Sequence, residues 1–69
     1  MRDDIYLIQM GMRIKAIRKA KRITQDRLSR LCGIDESNIC LLECGKRNVH
    51  ILTLKSIADV LKVDVKDFI

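Results

Sequence analysis

The segment Gln25–Gly45 constrains the fold of this chain more than any other, because it reads as two short helices separated by a tight turn. In its first half, Leu28, Leu31 and Cys32 recur at the three- and four-residue intervals of one helix face. Gly33 follows where that helix must end, and a residue without a Cβ atom adopts the left-handed backbone of such an end at little cost. The segment therefore predicts a helix, a sharp turn and a second helix.

Side chains suited to capping stand at the start of both helices. The Thr24 hydroxyl is expected to cap the first helix, with Ile23 packing back onto it as a hydrophobic staple. Asp35 is expected to accept hydrogen bonds from the free amides of the second helix, and Glu36 adds negative charge near the positive end of its dipole. Two helices joined by a glycine-containing turn form a helix-turn-helix, a motif whose second helix fits the major groove of DNA.

The second helix has an inner and an outer side. At about 100° per residue, Ile39 and Leu42 fall on the inner side, and Gly45 is expected to end the helix. The outer side carries a mixture of polar, apolar and thiol side chains: Glu36, Ser37, Cys40, Leu41 and Cys44.

This arrangement resembles the helix-turn-helix of lambda-repressor-like, xenobiotic-response-element (XRE) type bacterial transcriptional regulators. The resemblance extends from about Gly11 to Phe68 and depends on many residues together; its clearest parts are Ile23-Thr24-Gln25, Gly33-Ile34-Asp35, Leu42-Glu43 and Gly45-Lys46-Arg47-Asn48. It implies an all-α, compact five-helix lambda-repressor-like DNA-binding domain. We therefore expect residues 1–69 to form a single domain with the helix-turn-helix at about 24–45.

The segment before the motif also has a helical pattern. Residues 3 to about 20 carry two apolar stripes on nearly opposite sides of a helix. The first stripe comprises Leu7, Met10, Ile14 and Ile17, and the second stripe comprises Ile5, Ile8 and Met12. Such a helix is buried on two sides, so the C-terminal end of the chain or another subunit is expected to cover the second stripe. Gly11 lowers helix stability by about 1 kcal/mol relative to alanine, and a closely packed neighbour would explain its presence.

Two further helical segments follow the motif. One spans about Leu52 to Lys62, and its inward residues are Leu54, Ile57, Ala58 and Leu61. It begins without a strong cap, because His50, which precedes it, is expected to be a solvated loop residue. The other is a last short turn of helix capped by Asp64, whose Val65, Phe68 and Ile69 are expected to close the core. The sequence thus predicts five helices and no strand.

The composition suits a small helical bundle. Of the 69 residues, 48% are hydrophobic, and the aromatic residues are one tyrosine and one phenylalanine, so Leu and Ile must fill the core. No apolar run reaches membrane-spanning length, and the first residues, MRDD, do not form a secretory signal. We expect a cytoplasmic protein that does not contact a membrane.

Positive charge is concentrated in one part of the chain. The formal net charge is +5, and eight of the 14 basic residues lie between Arg13 and Arg30, opposed only by Asp26. A charge run of this kind is often a solvated helix face. Beside a helix-turn-helix, however, it favours the phosphates of double-stranded DNA as the partner.

The resemblance also assigns roles to individual residues. It places Thr24 and Gln25 on one phosphate and Lys46, Arg47 and Asn48 on the backbone beyond the recognition helix. It makes Arg18 and Glu43 an internal ion pair and implies homodimers on inverted repeats. The residues that would face the groove are Glu36, Ser37, Asn38 and Leu41, of which Asn38 is assigned by the resemblance alone.

Three cysteines raise the question of a metal site or a redox switch. Cys32 belongs to the inward stripe of its helix, whereas Cys40 and Cys44 share the outer side of the next one. Two helical cysteines lack the paired-knuckle spacing of structural zinc, and reduced thiols are the rule in cytosolic proteins. We therefore predict no metal and no cofactor, and the chain contains no evident site for a small-molecule effector.

The two alternatives to a DNA-binding regulator are a protein-interaction domain and an enzyme. An antitoxin-like or adaptor domain would use Glu36, Leu41 and the cysteines against a protein, and its binding would depend less on salt. An enzyme is not expected, because the chain has no phosphate-cradling glycine loop, no Ser/His/Asp arrangement and a single histidine. Among regulators, the segments Gly45–Val49 and Leu54–Ala58 look most like those of restriction–modification controller proteins.

Overall fold

A computed structural model describes residues 2–69, and the side chains of residues 4–69, as a bundle of four α-helices and one 3₁₀ turn. The elements are α1 (Arg2–Ala20), α2 (Gln25–Cys32), α3 (Glu36–Glu43), α4 (Ile51–Leu61) and the 3₁₀ helix η1 (Val65–Asp67). No strand is present in this part of the chain. None of its helices is long and apolar enough to cross a membrane.

The predicted last short turn of helix is η1, a three-residue 3₁₀ turn, so the count of five helices is not confirmed: the described chain has four α-helices. Its backbone bonds join residues three apart: the Asp67 amide donates to the Asp64 carbonyl oxygen at 2.9 Å, and the Phe68 amide donates to that of Val65 at 2.9 Å. The Asp67 carboxylate in turn accepts from the Asp64 amide at 3.0 Å, which fixes the tight turn.

The core is aliphatic apart from one aromatic ring. Its fully buried side chains come from all four helices and from the end of the chain: Ile14, Leu28, Ile39, Ile57, Leu61 and Phe68. The inward residues predicted for α4 are all buried. Phe68 closes the core as expected, but Ile69 remains 69% exposed. Only the backbone of Ile69 is hydrogen-bonded: its amide donates to the Lys66 carbonyl oxygen at 3.3 Å, and its carbonyl oxygen accepts from Arg13 Nη1 at 3.2 Å.

The middle of α1 crosses the end of α3 at very short range. A Cβ atom added to Gly11 would lie 2.4 Å from the carbonyl oxygen of Leu42 and 2.8 Å from that of Glu43. The close neighbour inferred from this glycine is therefore the last turn of α3. Gly45 makes a second close approach, since its φ is +73° and an added Cβ atom would lie 2.7 Å from Ile8 Cα.

The second stripe of α1 is not covered by the part of the chain that the structure describes. Ile5, Ile8 and Met12 are 55%, 46% and 63% exposed, respectively. Of the two covers expected for this stripe, the C-terminal end of the chain does not provide one, because Phe68 is buried in the core and Ile69 is itself exposed. Cover by another subunit stays a prediction.

The N-terminal caps of α2, α3 and α4 differ from the sequence predictions at two of these three positions. Thr24 Oγ1 accepts from the Arg27 amide at 3.1 Å, which confirms the first cap. Asp35 occupies the N-cap position of α3, but among the described residues its exposed carboxylate makes no cap hydrogen bond. His50 was expected to be a loop residue that does not cap α4, but it does so: its Nδ1 accepts a hydrogen bond from the Leu52 amide at 3.2 Å.

Candidate nucleic-acid interface

The turn between α2 and α3 has the geometry that its glycine predicts. Gly33 has a φ of +71°, and both its amide and that of Ile34 donate to the carbonyl oxygen of Ser29, the latter at 3.0 Å. Leu28 of α2 and Ile39 of α3 are fully buried and hold the two helices to one core. The orientation of α3 is therefore fixed by its turn and by its inner side.

The outer side of α3 lies open to solvent. Ile39, Leu42 and Glu43 are buried, Asn38 and Leu41 are half-buried, and the remaining side chains of the outer side are exposed: Glu36, Ser37, Cys40 and Cys44. This distribution agrees with the helical period. The surface presents one carboxylate, one hydroxyl, one apolar side chain and two thiols.

A buried ion pair fixes the far end of α3. Arg18 Nε and Nη2 donate to the two Glu43 carboxylate oxygens at 2.6 and 3.0 Å, and Arg18 Nη1 donates to the Ile23 carbonyl oxygen at 2.7 Å. Gln25 Nε2 donates to Glu43 Oε1 at 3.0 Å. The resulting Arg18–Glu43–Gln25 network joins α1, the start of α2 and the end of α3, and a two-bond arginine–carboxylate contact holds that geometry firmly.

The residues assigned to the first phosphate, Thr24 and Gln25, lie together at the start of α2. One Gln25 amide hydrogen is already bonded to Glu43, which leaves the other free to donate and fixes the direction of the side chain. The Thr24 oxygen accepts the cap bond, and its hydroxyl hydrogen remains a donor. The first amides of a helix add a favourable site for an anion.

The loop after α3 is linked back to the helix. Arg47 Nη1 donates to Asn38 Oδ1 at 2.6 Å, so the structure brings a predicted backbone-binding cation against a predicted groove residue. Asn48 uses its side-chain oxygen locally, accepting from the Val49 amide at 2.8 Å, while Lys46 is exposed. Sequence reasoning missed the Asn38–Arg47 and Gln25–Glu43 contacts, because neither has a signal in local spacing.

The basic segment is largely available to a partner. Of its eight cations, Arg18 alone is buried, while Arg30 pairs with Asp26 at 3.0 Å on the surface. The other six are exposed: Arg13, Lys15, Lys19, Lys21, Arg22 and Arg27. Exposed cations along α1 and α2 produce the positive field that attracts a polyanion.

The three thiols have different surroundings. Cys32 is half-buried, with its Sγ 4.0 Å from the Ser56 carbonyl oxygen, and burial raises the pKa of this thiol. Cys40 and Cys44 are exposed. Across the described residues, no three histidine, cysteine, aspartate or glutamate side chains are grouped around a possible metal position.

Comparison with known proteins places this geometry in a family. Residues 14–68 match the HTH_3 helix-turn-helix family. The chain belongs to this family. The match covers α2, the turn, α3 and α4 together with Arg18 and Glu43, and it confirms the XRE-type resemblance inferred from the sequence.

Relatives of this HTH_3 chain include a repressor. The chain is 34% identical over 56 residues to the immunity repressor protein of Bacillus phage phi105, a match that covers 81% of this chain and 39% of the repressor. It therefore spans less than half the length of that relative.

Two solved structures share the fold over nearly their whole length. The restriction-modification controller protein C.AhdI from Aeromonas hydrophila superimposes with a TM-score of 0.89 at 30% identity, covering 91% of this chain and 96% of C.AhdI. SinR, a master regulator for biofilm formation solved in complex with DNA, gives a TM-score of 0.81 at 30% identity, covering 86% and 98%. Both neighbours are named as regulators, and the chain shares with them the HTH_3-type domain of transcriptional regulators.

Proposed function

We propose that this HTH_3 protein binds operator DNA as a homodimer, with the recognition helix, residues 36–44, in the major groove. The supporting observation is the asymmetry of α3. Its inner side and its end are fixed by the core and by the Arg18–Glu43–Gln25 network, while its outer side is open. A rigid helix with one free face, flanked by cationic segments, suits a groove lined by phosphates.

Contacts to the DNA backbone would position the protein. Thr24 and Gln25 would hold a phosphate at the start of α2, and Lys46, Arg47 and Asn48 would contact the backbone on the other side of α3. These two groups lie at the two ends of the helix-turn-helix, so together they would set the depth and register of α3 in the groove.

Base recognition would come from a small set of side chains with restricted chemistry. A glutamate at position 36 can accept a hydrogen bond only from an amino group, such as that of cytosine, and Leu41 can contact a thymine methyl group. Ser37 and Asn38 would add polar contacts. No arginine lies on α3 to bind guanine with two hydrogen bonds, so DNA shape and Arg47 would contribute much of the specificity.

A homodimer would double the length of the recognised site. Apolar side chains at the start of α4 remain uncovered in the described chain, with Ile51 59% and Leu52 66% exposed. Their area is available to a second copy, whereas Phe68 is fully buried and excluded from such a contact. We expect residues 1–69 to act as one cytoplasmic DNA-binding domain, without a small-molecule effector, on inverted half-sites about 34 Å apart.

Selection from a random duplex pool tests this proposal. The chain should enrich one inverted repeat, and footprinting should protect both half-sites. Enrichment of a single half-site would refute the dimer, and no enrichment at low salt would refute groove recognition. The competing proposal is an antitoxin-like or adaptor domain that binds a protein through Leu41 and its neighbours, and it predicts this last result.

The likeness to C.AhdI suggests a narrower role. We propose a restriction–modification controller that regulates its own operon, supported by the TM-score of 0.89 and by coverage of 96% of C.AhdI. Restriction and methyltransferase genes beside the coding sequence, with the selected operator upstream, would support this role. Their absence from the neighbourhood would contradict it.

A further inference from the structure

Two exposed cysteines on the outer side of α3 have no structural role that the fold explains. Cysteine is among the most often buried residue types, and Cys32 follows that rule by packing against the core. Cys40 and Cys44 instead stand in solvent on the surface assigned to the DNA. Their position favours a chemical function over packing.

The backbone holds the two thiols at a defined spacing. The Cys44 amide donates to the Cys40 carbonyl oxygen at 3.0 Å, and Cys44 keeps right-handed helical angles, with φ −83° and ψ −3°. Side chains four residues apart on a helix have Cβ atoms about 5–6 Å from each other. A disulfide requires a Cβ separation of about 3.5–4.5 Å, so the intact turn disfavours a direct bond between the two sulfurs. The spacing of the two side chains leaves room for one atom between the two sulfurs.

The chemistry of the ligands limits which atom this can be. Zinc sites use three or four protein ligands, and calcium and magnesium require oxygen, but among the described residues no third ligand-type side chain joins this pair. Soft thiolates select soft ions, of which Cu(I) is stable with two sulfur ligands. We propose that Cys40 and Cys44 form a two-thiolate site for Cu(I).

Binding would change the charge of the outer side of α3. Each thiol gives up its proton and forms a sulfur–copper bond, so two neutral thiols and one monovalent cation become a unit of net charge −1, with two protons released and no electron transferred. This charge would stand on the same side of α3 as Glu36, on the face that we assign to phosphates and bases. In this step the inference depends on the function proposed above, and Cu(I) would act by weakening the complex with DNA.

The first test measures copper without DNA. Purified, reduced chain is titrated under anaerobic conditions against the coloured Cu(I)–bicinchoninate complex. The wild-type chain and the matched control Cys32→Ser should each withdraw one Cu(I) per chain, while Cys40→Ser and Cys44→Ser should lose at least about nine-tenths of this binding. Equal withdrawal by Cys40→Ser, or a stoichiometry of one Cu(I) per two chains, would overturn the site.

The second test measures DNA affinity on the selected duplex with and without one equivalent of Cu(I), each variant being compared with its own metal-free value. Wild type and Cys32→Ser should lose on the order of tenfold in affinity, and Cys40→Ser/Cys44→Ser should not respond. A wild-type chain that binds Cu(I) but keeps its DNA affinity would overturn the proposed control. If the metal-free chain binds no duplex, the proposed function is refuted, but the copper site measured in the first test is not affected.

Discussion

Arg18 and Glu43 are joined by two hydrogen bonds, at 2.6 and 3.0 Å, inside the bundle, where their side chains are only 7% and 1% exposed. One residue belongs to α1 and the other is the last residue of α3, so this contact fixes the end of the recognition helix against the first helix. Gln25 extends the contact to α2. The proposed DNA-binding surface therefore depends on a buried polar network behind it.

We expect Arg18→Leu to lower the free energy of unfolding by about 3–5 kcal/mol, because the Glu43 carboxylate is left buried without its cation. Urea unfolding measures the loss. Asp59→Ala is the matched control, since it breaks an exposed pair with Lys55 at 3.3 Å and should cost less than about 1 kcal/mol. The double variant Arg18→Leu/Glu43→Leu should recover part of the loss, and equal losses in the first two variants would contradict a buried network.

Gly11→Ala should destabilise the fold although alanine is the better helix former. Helix propensity alone predicts a gain of about 1 kcal/mol, but the new Cβ atom would lie 2.4 Å from a backbone carbonyl oxygen that cannot move without displacing α3. Ala16→Gly, at an exposed position of the same helix, is the control and should lose about 1 kcal/mol. Thermal unfolding distinguishes the two, and a stabilised Gly11→Ala would show that α1 and α3 lie further apart.

Leu41→Asp should remove specific DNA binding while the chain stays folded. The side chain is half-buried on the outer side of α3, where a carboxylate would repel phosphates and lose the apolar contact to a base. Anisotropy titration against the selected duplex measures the effect, and circular dichroism checks the fold. Gln9→Asp adds the same charge at an exposed position of α1 and should bind normally; unchanged affinity of Leu41→Asp would mean that α3 does not read bases.

Alkylation should separate the three thiols. Because burial raises the pKa of Cys32 and restricts access to it, iodoacetamide should modify Cys40 and Cys44 well before Cys32 in the native chain. The raised pKa of Cys32 also makes the free energy of unfolding depend on pH. Above the pKa of the unfolded thiol this free energy should fall as the pH rises, because the unfolded thiol ionises more easily than the folded one; below that pKa the shift has no effect. Mass spectrometry of peptides measures the order in which the thiols are modified, and this order should disappear in urea. Equal alkylation rates for all three thiols in the native chain would contradict the burial of Cys32.

Much of the fold could be predicted from the sequence because it follows from local periodicity. The inward residues of α4, the cap at Thr24 and the left-handed Gly33 each depend on neighbours a few residues away. Gly11 in the middle of a helix also indicated a close neighbour, although the sequence pattern did not identify this neighbour as the end of α3.

Other features depend on contacts that local patterns do not encode. The bonds Gln25–Glu43 and Arg47–Asn38 join residues 18 and nine positions apart, and the second limits how freely both side chains can meet DNA. Asp35 lacks its expected cap bond, and His50 supplies an unexpected one. The last short turn of helix is a 3₁₀ turn, which local periodicity could not specify, because the bond between the Asp67 carboxylate and the Asp64 amide tightens it.

The salt dependence of binding to the selected duplex tests the central claim most directly. If the outer side of α3 enters the groove with cations on both sides of it, affinity should fall on the order of 10³-fold between about 50 and 200 mM salt, because neutralised phosphates release counterions. Replacing Lys46 and Arg47 by alanine should make this dependence measurably shallower. An affinity that does not change with salt, or no binding to duplex DNA at the lowest salt, would contradict the account.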